Sequence, residues 1–211
     1  MRWLVMGGTS GIGRQLVEQL DRKSIAVRAF GRSAGETQFD GSHIQGFKGD
    51  ARDASDVNAA LEDADIVVQA LGIRERPAML WERETLFSDA TSVLIPAMQA
   101  ASVKRLITIT GYGSGESKQT MSKLVALGHN AVLGRVYADK SRQEDMIKVS
   151  DLDWTLVRPT ILNAGALSKR YKVLTEPSSW RLGTISRADV AHFVMEAGEN
   201  GSFIRQSVVL A

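Results

Sequence analysis

The stretch Met1-Arg-Trp-Leu-Val-Met-Gly-Gly-Thr-Ser-Gly-Ile-Gly13 decides the fold of this chain. An apolar run from Trp3 to Met6 is followed by a glycine cluster, and then by residues 14–20, which place apolar side chains at helical spacing. This order predicts a strand, a tight turn and a helix. Bare backbone amides at the start of a helix attract phosphate, because the helix dipole adds to their positive charge. The stretch therefore predicts a nucleotide-cofactor site.

Composition is that of an ordinary globular protein. The 211 residues suit one α/β domain, with 44% hydrophobic and 24% charged residues. The net charge of +2 is too small and dispersed to indicate nucleic-acid binding. There are no cysteines, which excludes disulfides and cysteine nucleophiles. We also expect no metal site, because His43, His129 and His192 are scattered without acidic partners at ligand spacing.

Location and partners follow from what the sequence lacks. The chain begins directly with a predicted strand, and no apolar run approaches the roughly 18 residues that a membrane span needs. We expect a cytoplasmic protein without a membrane or nucleic-acid partner. It should bind a small-molecule substrate and exist as a monomer or homodimer.

Strand and helix signals alternate along the rest of the chain. Strands are predicted at residues 25–30, 43–48, 65–71, 105–110, 154–158 and 171–174, and helices at residues 53–61, 81–101, 139–149 and 186–198. A last strand at 207–210 should close the sheet. Residues 111–138 are glycine-rich at first and then show helical spacing from Met121 to Leu127. The alternation predicts an α/β, Rossmann-like, doubly wound parallel sheet in three layers (α/β/α) within one domain, residues 1–211.

Four later segments extend the argument beyond the glycines. They are Gly49-Asp50, Ala70-Leu-Gly72, Leu152-Asp-Trp-Thr-Leu-Val-Arg-Pro159 and Ile185-Ser-Arg-Ala-Asp-Val-Ala191. Together with the N-terminal turn they resemble the atypical short-chain dehydrogenases/reductases, the group with biliverdin-reductase-B-like, flavin-reductase-like and NmrA-like NAD(P)-binding proteins. The resemblance runs nearly from end to end and implies a single NAD(P)-binding Rossmann domain.

The resemblance implies a set of cofactor contacts around the crevice. The turn has the spacing Gly7-x-x-x-Gly11-x-Gly13, so the amides of Thr9, Ser10 and Ile12 should line the phosphates. Ala70, Leu71 and Gly72 should lie against the ribose on the nicotinamide side, and Thr110 and Lys140 complete the expected contacts. Asp50 resembles the family residue near the adenine amino group, and it is equally a candidate N-cap for the next helix.

The end of the second predicted strand bears on the choice between NADP(H) and NAD(H). NAD-binding proteins place an acidic residue there, whereas this chain has Gly31-Arg32-Ser33 and no acid before Glu36. A guanidinium at this position can bind a 2′-phosphate through charge-assisted hydrogen bonds. Arg32 therefore favours NADP(H), the alternative being an ordinary solvated arginine.

The catalytic pattern of the family is present only in altered form. The family uses Ser and Tyr-x-x-x-Lys, and Lys140 resembles its lysine, but Val136 stands four residues earlier. Tyr137 is one residue too close, which on a helix turns it by about 100° from the expected face. Tyr112, Tyr137 and Ser114 are the hydroxyl groups that could substitute. A solvated lysine is the alternative for Lys140.

Three functions stay open from the sequence. The first is hydride transfer from NADPH to a flat acceptor such as a flavin or quinone, which needs mainly a stacked nicotinamide and acceptor. Its pocket would be built from residues 111–138 and 162–180, where Tyr112, Tyr171 and Trp180 either stack on the acceptor or pack the loop. The second is an NmrA-like regulator that senses NADP(H). A nucleotide-sugar epimerase is disfavoured, because that group normally needs the tyrosine and a larger C-terminal region.

Overall fold

A computed structural model describes residues 1–73, 84–120 and 123–211. Within these ranges the strands are β1 (Arg2–Met6), β2 (Ala26–Gly31), β3 (Ile44–Lys48), β4 (Ile66–Gln69), β5 (Arg105–Ile109), β6 (Asp153–Pro159), β7 (Ile161–Asn163), β8 (Val173–Leu174), β9 (Thr184–Ser186) and β10 (Gln206–Leu210). The helices are α1 (Gly11–Arg22), α2 (Ala54–Leu61), α3 (Leu86–Ala100), α4 (Lys123–Lys148) and α5 (Arg187–Glu199).

Eight of these strands form one sheet in the order β3-β2-β1-β4-β5-β6-β10-β8, and β7 pairs with β9 separately. All neighbours in the large sheet are parallel except β10 and β8. The chain first builds outward from β1 to β3 and then crosses to β4 on the other side of β1. This reversal creates a crevice at the carboxyl ends of β1 and β4, the usual place for a ligand in such sheets.

Alternation along β1 explains the three layers. Trp3 and Val5 belong to the core that α1 and α5 cover, whereas Leu4 and Met6 belong to the core under α2, α3 and α4. Successive strand residues point to opposite faces, so a strand covered on both sides must be apolar throughout. The predicted Rossmann-like α/β fold is confirmed. None of the described helices combines the length and apolar character needed to cross a membrane.

The helices of the second half differ from the sequence prediction. Helix α4 is continuous from Lys123 to Lys148, whereas the prediction placed its start near residue 139. The helical spacing noted up to Leu127 is part of this same helix, which tolerates the single glycines Gly128 and Gly134. Helix α3 begins at Leu86 after the N-cap Thr85. The predicted earlier start, residues 81–83, and Met121 lie outside the described residues.

The last strand also differs from the prediction. Strand β10 does not close the sheet, because it lies between β6 and β8. Lys172 and Ala211 exchange two backbone hydrogen bonds, of 2.7 and 3.2 Å, and thereby extend the antiparallel ladder. The sheet edge is therefore β8, from the segment that follows β6 and β7.

Candidate cofactor and active site

The glycines of the phosphate turn have different structural roles. A Cβ on Gly13 would lie 2.2 Å from the carbonyl oxygen of Gly7, so the start of α1 approaches β1 too closely for any side chain. Gly11 has a φ of +57°, and a Cβ there would meet nothing within 4 Å. Gly13 therefore serves packing, while Gly11 keeps open a space that faces no protein atom. An open glycine at the start of the helix is the arrangement that lets a pyrophosphate approach the backbone.

The backbone amides at the start of α1 donate no hydrogen bond to a capping side chain. Ser10 is the N-cap, yet its side chain makes no capping hydrogen bond. The first amides of a helix have no partner within the helix, and a phosphate can satisfy them. The predicted phosphate contacts Thr9, Ser10 and Ile12 all belong to this turn. The residues present therefore fit a dinucleotide phosphate.

Arg32 lies directly after β2, on the side of the crevice expected to hold the adenosine. Its guanidinium makes no hydrogen bond or ion pair with any part of the chain that the structure describes. The neighbouring Ser33 hydroxyl donates to Thr9 Oγ1 at 3.2 Å, which ties this loop to the phosphate turn. Arg32 is thus an exposed cation beside the predicted ribose position, and its charge acts on the Asp50 carboxylate without a direct ion pair in the described residues.

Asp50 has a different partner from either of the predicted ones. The Arg52 side chain and backbone amide donate to its carboxylate, with Nη2 at 2.9 Å from Oδ2. These hydrogen bonds lower the pKa of Asp50 to about 2. The N-cap of α2 is Asp53, which accepts from the amides of Ser55 and Asp56. The N-cap alternative for Asp50 is therefore wrong, because Asp53 occupies that position.

The opposite side of the crevice begins where β4 ends. Ala70 donates its amide to the Met6 carbonyl at 2.8 Å, which fixes the segment of Ala70, Leu71 and Gly72 beside β1. Gly72 is exposed, and a Cβ there would have no neighbour within 4 Å. The predicted ribose contacts thus adjoin the phosphate turn, as their assignment requires.

Lys140 lies in the middle of α4 and points at the end of β5. Its ammonium donates to the Thr110 carbonyl at 2.5 Å and lies 4.8 Å from the centre of the Phe87 ring. Burial lowers the pKa of Lys140 to about 8, against the opposing effect of the Glu144 and Asp139 carboxylates. Lys140 is therefore not a solvated lysine at the start of a helix.

Tyr137 lies beside Lys140 in spite of the altered spacing. The Lys140 ammonium is 5.9 Å from the centre of the Tyr137 ring. The Tyr137 hydroxyl lies 2.7 Å from the position that a Cβ on Gly111 would take. Residues three apart share a helix face almost as well as residues four apart. Of the three hydroxyl groups that could replace the family tyrosine, Tyr137 is the one that accompanies Lys140.

The other two candidates for that hydroxyl are engaged elsewhere. Ser114 is fully buried and donates to Glu144 Oε1 at 2.6 Å. Tyr112 is buried against Trp180, and its hydroxyl bonds to Thr120 Oγ1 at 3.0 Å. Of the two roles expected for Tyr112 and Trp180, stacking on an acceptor or packing the loop, their burial supports packing.

Tyr171 is the third aromatic for which these two roles were open. It is partly buried, and its hydroxyl pairs with His192 Nδ1 at 2.9 Å on α5. It too packs against the protein.

A buried ion pair lies next to the part of the site that contains Lys140. Arg158 and Glu144 are both fully buried, and the guanidinium binds both carboxylate oxygens, at 2.6 and 3.0 Å. Glu144 Oε1 also accepts from Thr110 Oγ1 at 2.7 Å. Arg158 continues to Glu116 at 2.8 Å. The pair thereby links α4, β5 and β6 beneath the Thr110 carbonyl that holds Lys140.

The sequence carries two signals for this pair. Glu144 stands four residues after Lys140, which predicts the same helix face. Arg158 belongs to the apolar segment that ends in Pro159, where a buried charge needs a partner. No group of three or more His, Asp or Glu residues able to hold a metal ion occurs in the part of the chain that the structure describes.

The fold and the crevice define a dinucleotide-binding protein of the Rossmann type. Residues 7–200 match the model of the NAD(P)H-binding family. The chain belongs to this NAD(P)H-binding family, and its expected place among atypical short-chain dehydrogenase/reductase-like proteins is confirmed. No curated protein matches the chain.

Solved structures agree with this assignment. ChuY from Escherichia coli, described as an anaerobillin reductase, is 25% identical with a TM-score of 0.81, and the match covers 100% of this chain and 96% of that one. A short-chain dehydrogenase/reductase from Veillonella parvula in complex with NADP is 16% identical with a TM-score of 0.83, covering 100% and 94%. A Rossmann-fold NAD(P)-binding family protein from Shigella flexneri is 21% identical with a TM-score of 0.75, covering 100% and 92%. The last two similarities show the fold.

Proposed function

We propose that this protein is an NADPH-dependent reductase that passes a hydride to a flat, electron-accepting ring of the flavin or quinone class. The observation that supports it best is the placement of Tyr137 beside Lys140 at the carboxyl end of β5. The similarity to a protein described as an anaerobillin reductase, over 96% of that protein's length, points to the same class of reaction.

The preference for NADPH rests on Arg32. An acidic group beside an arginine would neutralise it, but the nearby Asp50 carboxylate is already held by Arg52. Arg32 therefore remains available for a 2′-phosphate, with which a guanidinium forms strong, directional hydrogen bonds.

The proposed roles follow from position and charge. Bound NADPH supplies the hydride. Lys140 binds the ribose of the nicotinamide half, and its positive charge favours loss of the Tyr137 proton. Burial raises the pKa of Tyr137, so the phenol is protonated at neutral pH and can donate to the reduced acceptor. One hydride and one proton together complete a two-electron reduction.

The acceptor would enter from the segments that surround this edge of the sheet. We assign the acceptor region to residues 111–138 and 162–180, as the sequence suggests. The packing of Tyr112 and Trp180 supports a wall for this region and not a stacking platform. The acceptor ring would then rest on the nicotinamide itself.

The test follows NADPH absorbance with FMN, FAD and a benzoquinone as acceptors. We expect NADPH oxidation with at least one of them, and a loss of about a hundredfold or more in the rate of quinone reduction for Tyr137→Phe, the size of a general-acid contribution. NADPH affinity should stay unchanged in this variant. Ser150→Ala removes a hydroxyl that donates to the Ile147 carbonyl between α4 and β6, away from the proposed acceptor region, and serves as the control, with the rate of the unaltered protein.

Two outcomes would contradict the proposal. NADPH binding without oxidation above the buffer rate, for all three acceptors, would leave a nucleotide-sensing regulator as the better assignment. An unchanged rate in Tyr137→Phe would contradict the role of Tyr137 as proton donor.

A further inference from the structure

A groove of about 620 Å³ runs along the flank of α1, outside the predicted cofactor crevice. One wall is the helix face that carries Gly11, Gln15, Gln19 and Arg22, and the other comprises residues 164–167 and the start of α5. Arg22 stands eleven positions after Gly11, which corresponds to roughly 16 Å along a helix. The groove therefore starts beside the phosphate turn and leads away from the carboxyl edge of the sheet.

Three arginines line this groove, and two of them share one carboxylate. Arg14 Nε lies 2.6 Å from Glu18, and Arg22 lies 3.8 Å from the same side chain. Arg187 donates to the Asn163 carbonyl at 3.1 Å, which leaves its charge uncompensated. The groove thus has an excess of positive charge, and a guanidinium is suited to carboxylates and phosphates.

Gln19 adds an independent indication of a ligand. Its side chain lines the groove but is only 5% exposed, and its Nε2 donates to the Ala188 carbonyl at 2.9 Å. Its Oε1 is buried without a hydrogen-bond partner among the described residues. A buried acceptor without a partner costs stability, so a donor seated on the groove floor would be favoured.

The dinucleotide itself would not fill this groove. Its predicted contacts, Arg32 and the segment Ala70-Leu-Gly72, follow β2 and β4 at the carboxyl edge of the sheet. The groove extends from Gly11 in another direction, along the side of α1 that faces α5. A second molecule is needed to meet Gln19, Arg22 and Arg187 together.

We propose that this groove binds a small hydroxylated anion, a hydroxycarboxylate or a sugar phosphate, separately from the dinucleotide. The anionic groups pair with Arg22 and Arg187, and a hydroxyl donates to Gln19 Oε1. Such a ligand also contacts residues 164–167 and would therefore connect this segment to α1.

The test compares three probes by calorimetric titration of the full chain, with and without saturating NADPH. Citrate represents the hydroxycarboxylates, glucose 6-phosphate represents the sugar phosphates, and tricarballylate is citrate without its hydroxyl. We expect saturable binding of citrate or glucose 6-phosphate at millimolar concentration or below, in the presence and the absence of NADPH. If citrate binds, tricarballylate should bind about tenfold more weakly, because it leaves Gln19 Oε1 without a donor.

Surface variants locate the site without disturbing the core. Arg22→Gln and Arg187→Gln should each weaken the bound probe about tenfold, while NADPH affinity stays unchanged. Arg205→Gln is the matched control, because Arg205 donates to the Asp151 carbonyl next to β6 and does not line the groove. It should bind the probe like the unaltered protein.

Three results would overturn the proposal. They are the absence of saturable binding for both citrate and glucose 6-phosphate, equal affinity in the two groove variants and the control, and displacement of the probe by NADPH. Displacement would place the anion in the phosphate turn of the cofactor. None of these readouts depends on reductase activity, so the proposed function can fail without affecting this site.

Discussion

The two ends of the candidate crevice are built in different ways. The phosphate turn is built by the backbone. Gly13 packs its Cα against Gly7, and the amides at the start of α1 can accept a phosphate. At the other end, Lys140 is positioned by side chains, through the Glu144–Arg158 pair and Thr110. The first end depends on a few adjacent residues, whereas the second depends on the charges of α4 and β6 and on Thr110, which directly follows β5.

The difference predicts how each end fails. A change in the turn should act locally, on packing or on phosphate affinity. A change in the buried pair should act on the whole fold, because a charge left without its partner in the interior is strongly destabilising. Three substitutions, in order of decreasing expected effect, test this contrast.

Arg158→Met should have the largest effect on stability. It leaves the fully buried Glu144 carboxylate without its counter-charge, for which we expect a loss of about 3–5 kcal/mol in the free energy of unfolding. Urea denaturation followed by circular dichroism measures this loss. The double variant Glu144→Leu with Arg158→Met removes both charges and should recover much of it. A single variant within about 1 kcal/mol of the original protein would show that the pair does not support this end.

Gly13→Ala should cost somewhat less. Its Cβ would lie 2.2 Å from the Gly7 carbonyl oxygen, a backbone atom, so α1 must shift away from β1. Overpacking of this kind costs about 1–3 kcal/mol, and the displaced turn should also lose NADPH affinity. Gly72→Ala is the control, because a Cβ there meets nothing within 4 Å and the stability should be unchanged. Equal unfolding midpoints for the two variants would contradict the close packing of the turn.

Arg32→Ala should affect binding and leave stability unchanged. Arg32 makes no hydrogen bond or ion pair in the described residues, and its charge acts only at a distance on Asp50, which Arg52 also holds, so its removal should cost little stability. We expect NADPH affinity to fall about ten- to a hundredfold and NADH affinity to change little, since only NADPH has the 2′-phosphate. Fluorescence titration with both nucleotides measures the two affinities. Equal losses would exclude a specific 2′-phosphate contact.

The same contrast explains what the sequence predicted well. The glycine turn and the central strands could be predicted, because glycine spacing and continuous apolar runs are local signals. The helix predicted at residues 53–61 corresponds to α2 with its N-cap Asp53 for the same reason. Arg32 could be located because it directly follows a predicted strand.

The second end could not be predicted as well, because its contacts join distant parts of the chain. The pairing of Arg158 with Glu116 spans 42 residues and that of Ser114 with Glu144 spans 30. No local pattern shows that Glu144 has already engaged the Ser114 and Thr110 hydroxyls. The predicted start of α4 is too late because Gly128 and Gly134 weaken the local helix signal without ending the helix.

The position of β10 has a consequence for the order in which the molecule assembles. Among the described residues, strand β8 pairs with β10 alone, and β10 is the last of the described strands along the chain. During synthesis, β1 to β6 can associate as they emerge, but β8 must wait for residues more than thirty positions further on. The segment proposed to surround the acceptor is therefore the last part of the sheet to be fixed, after the nucleotide crevice has already formed.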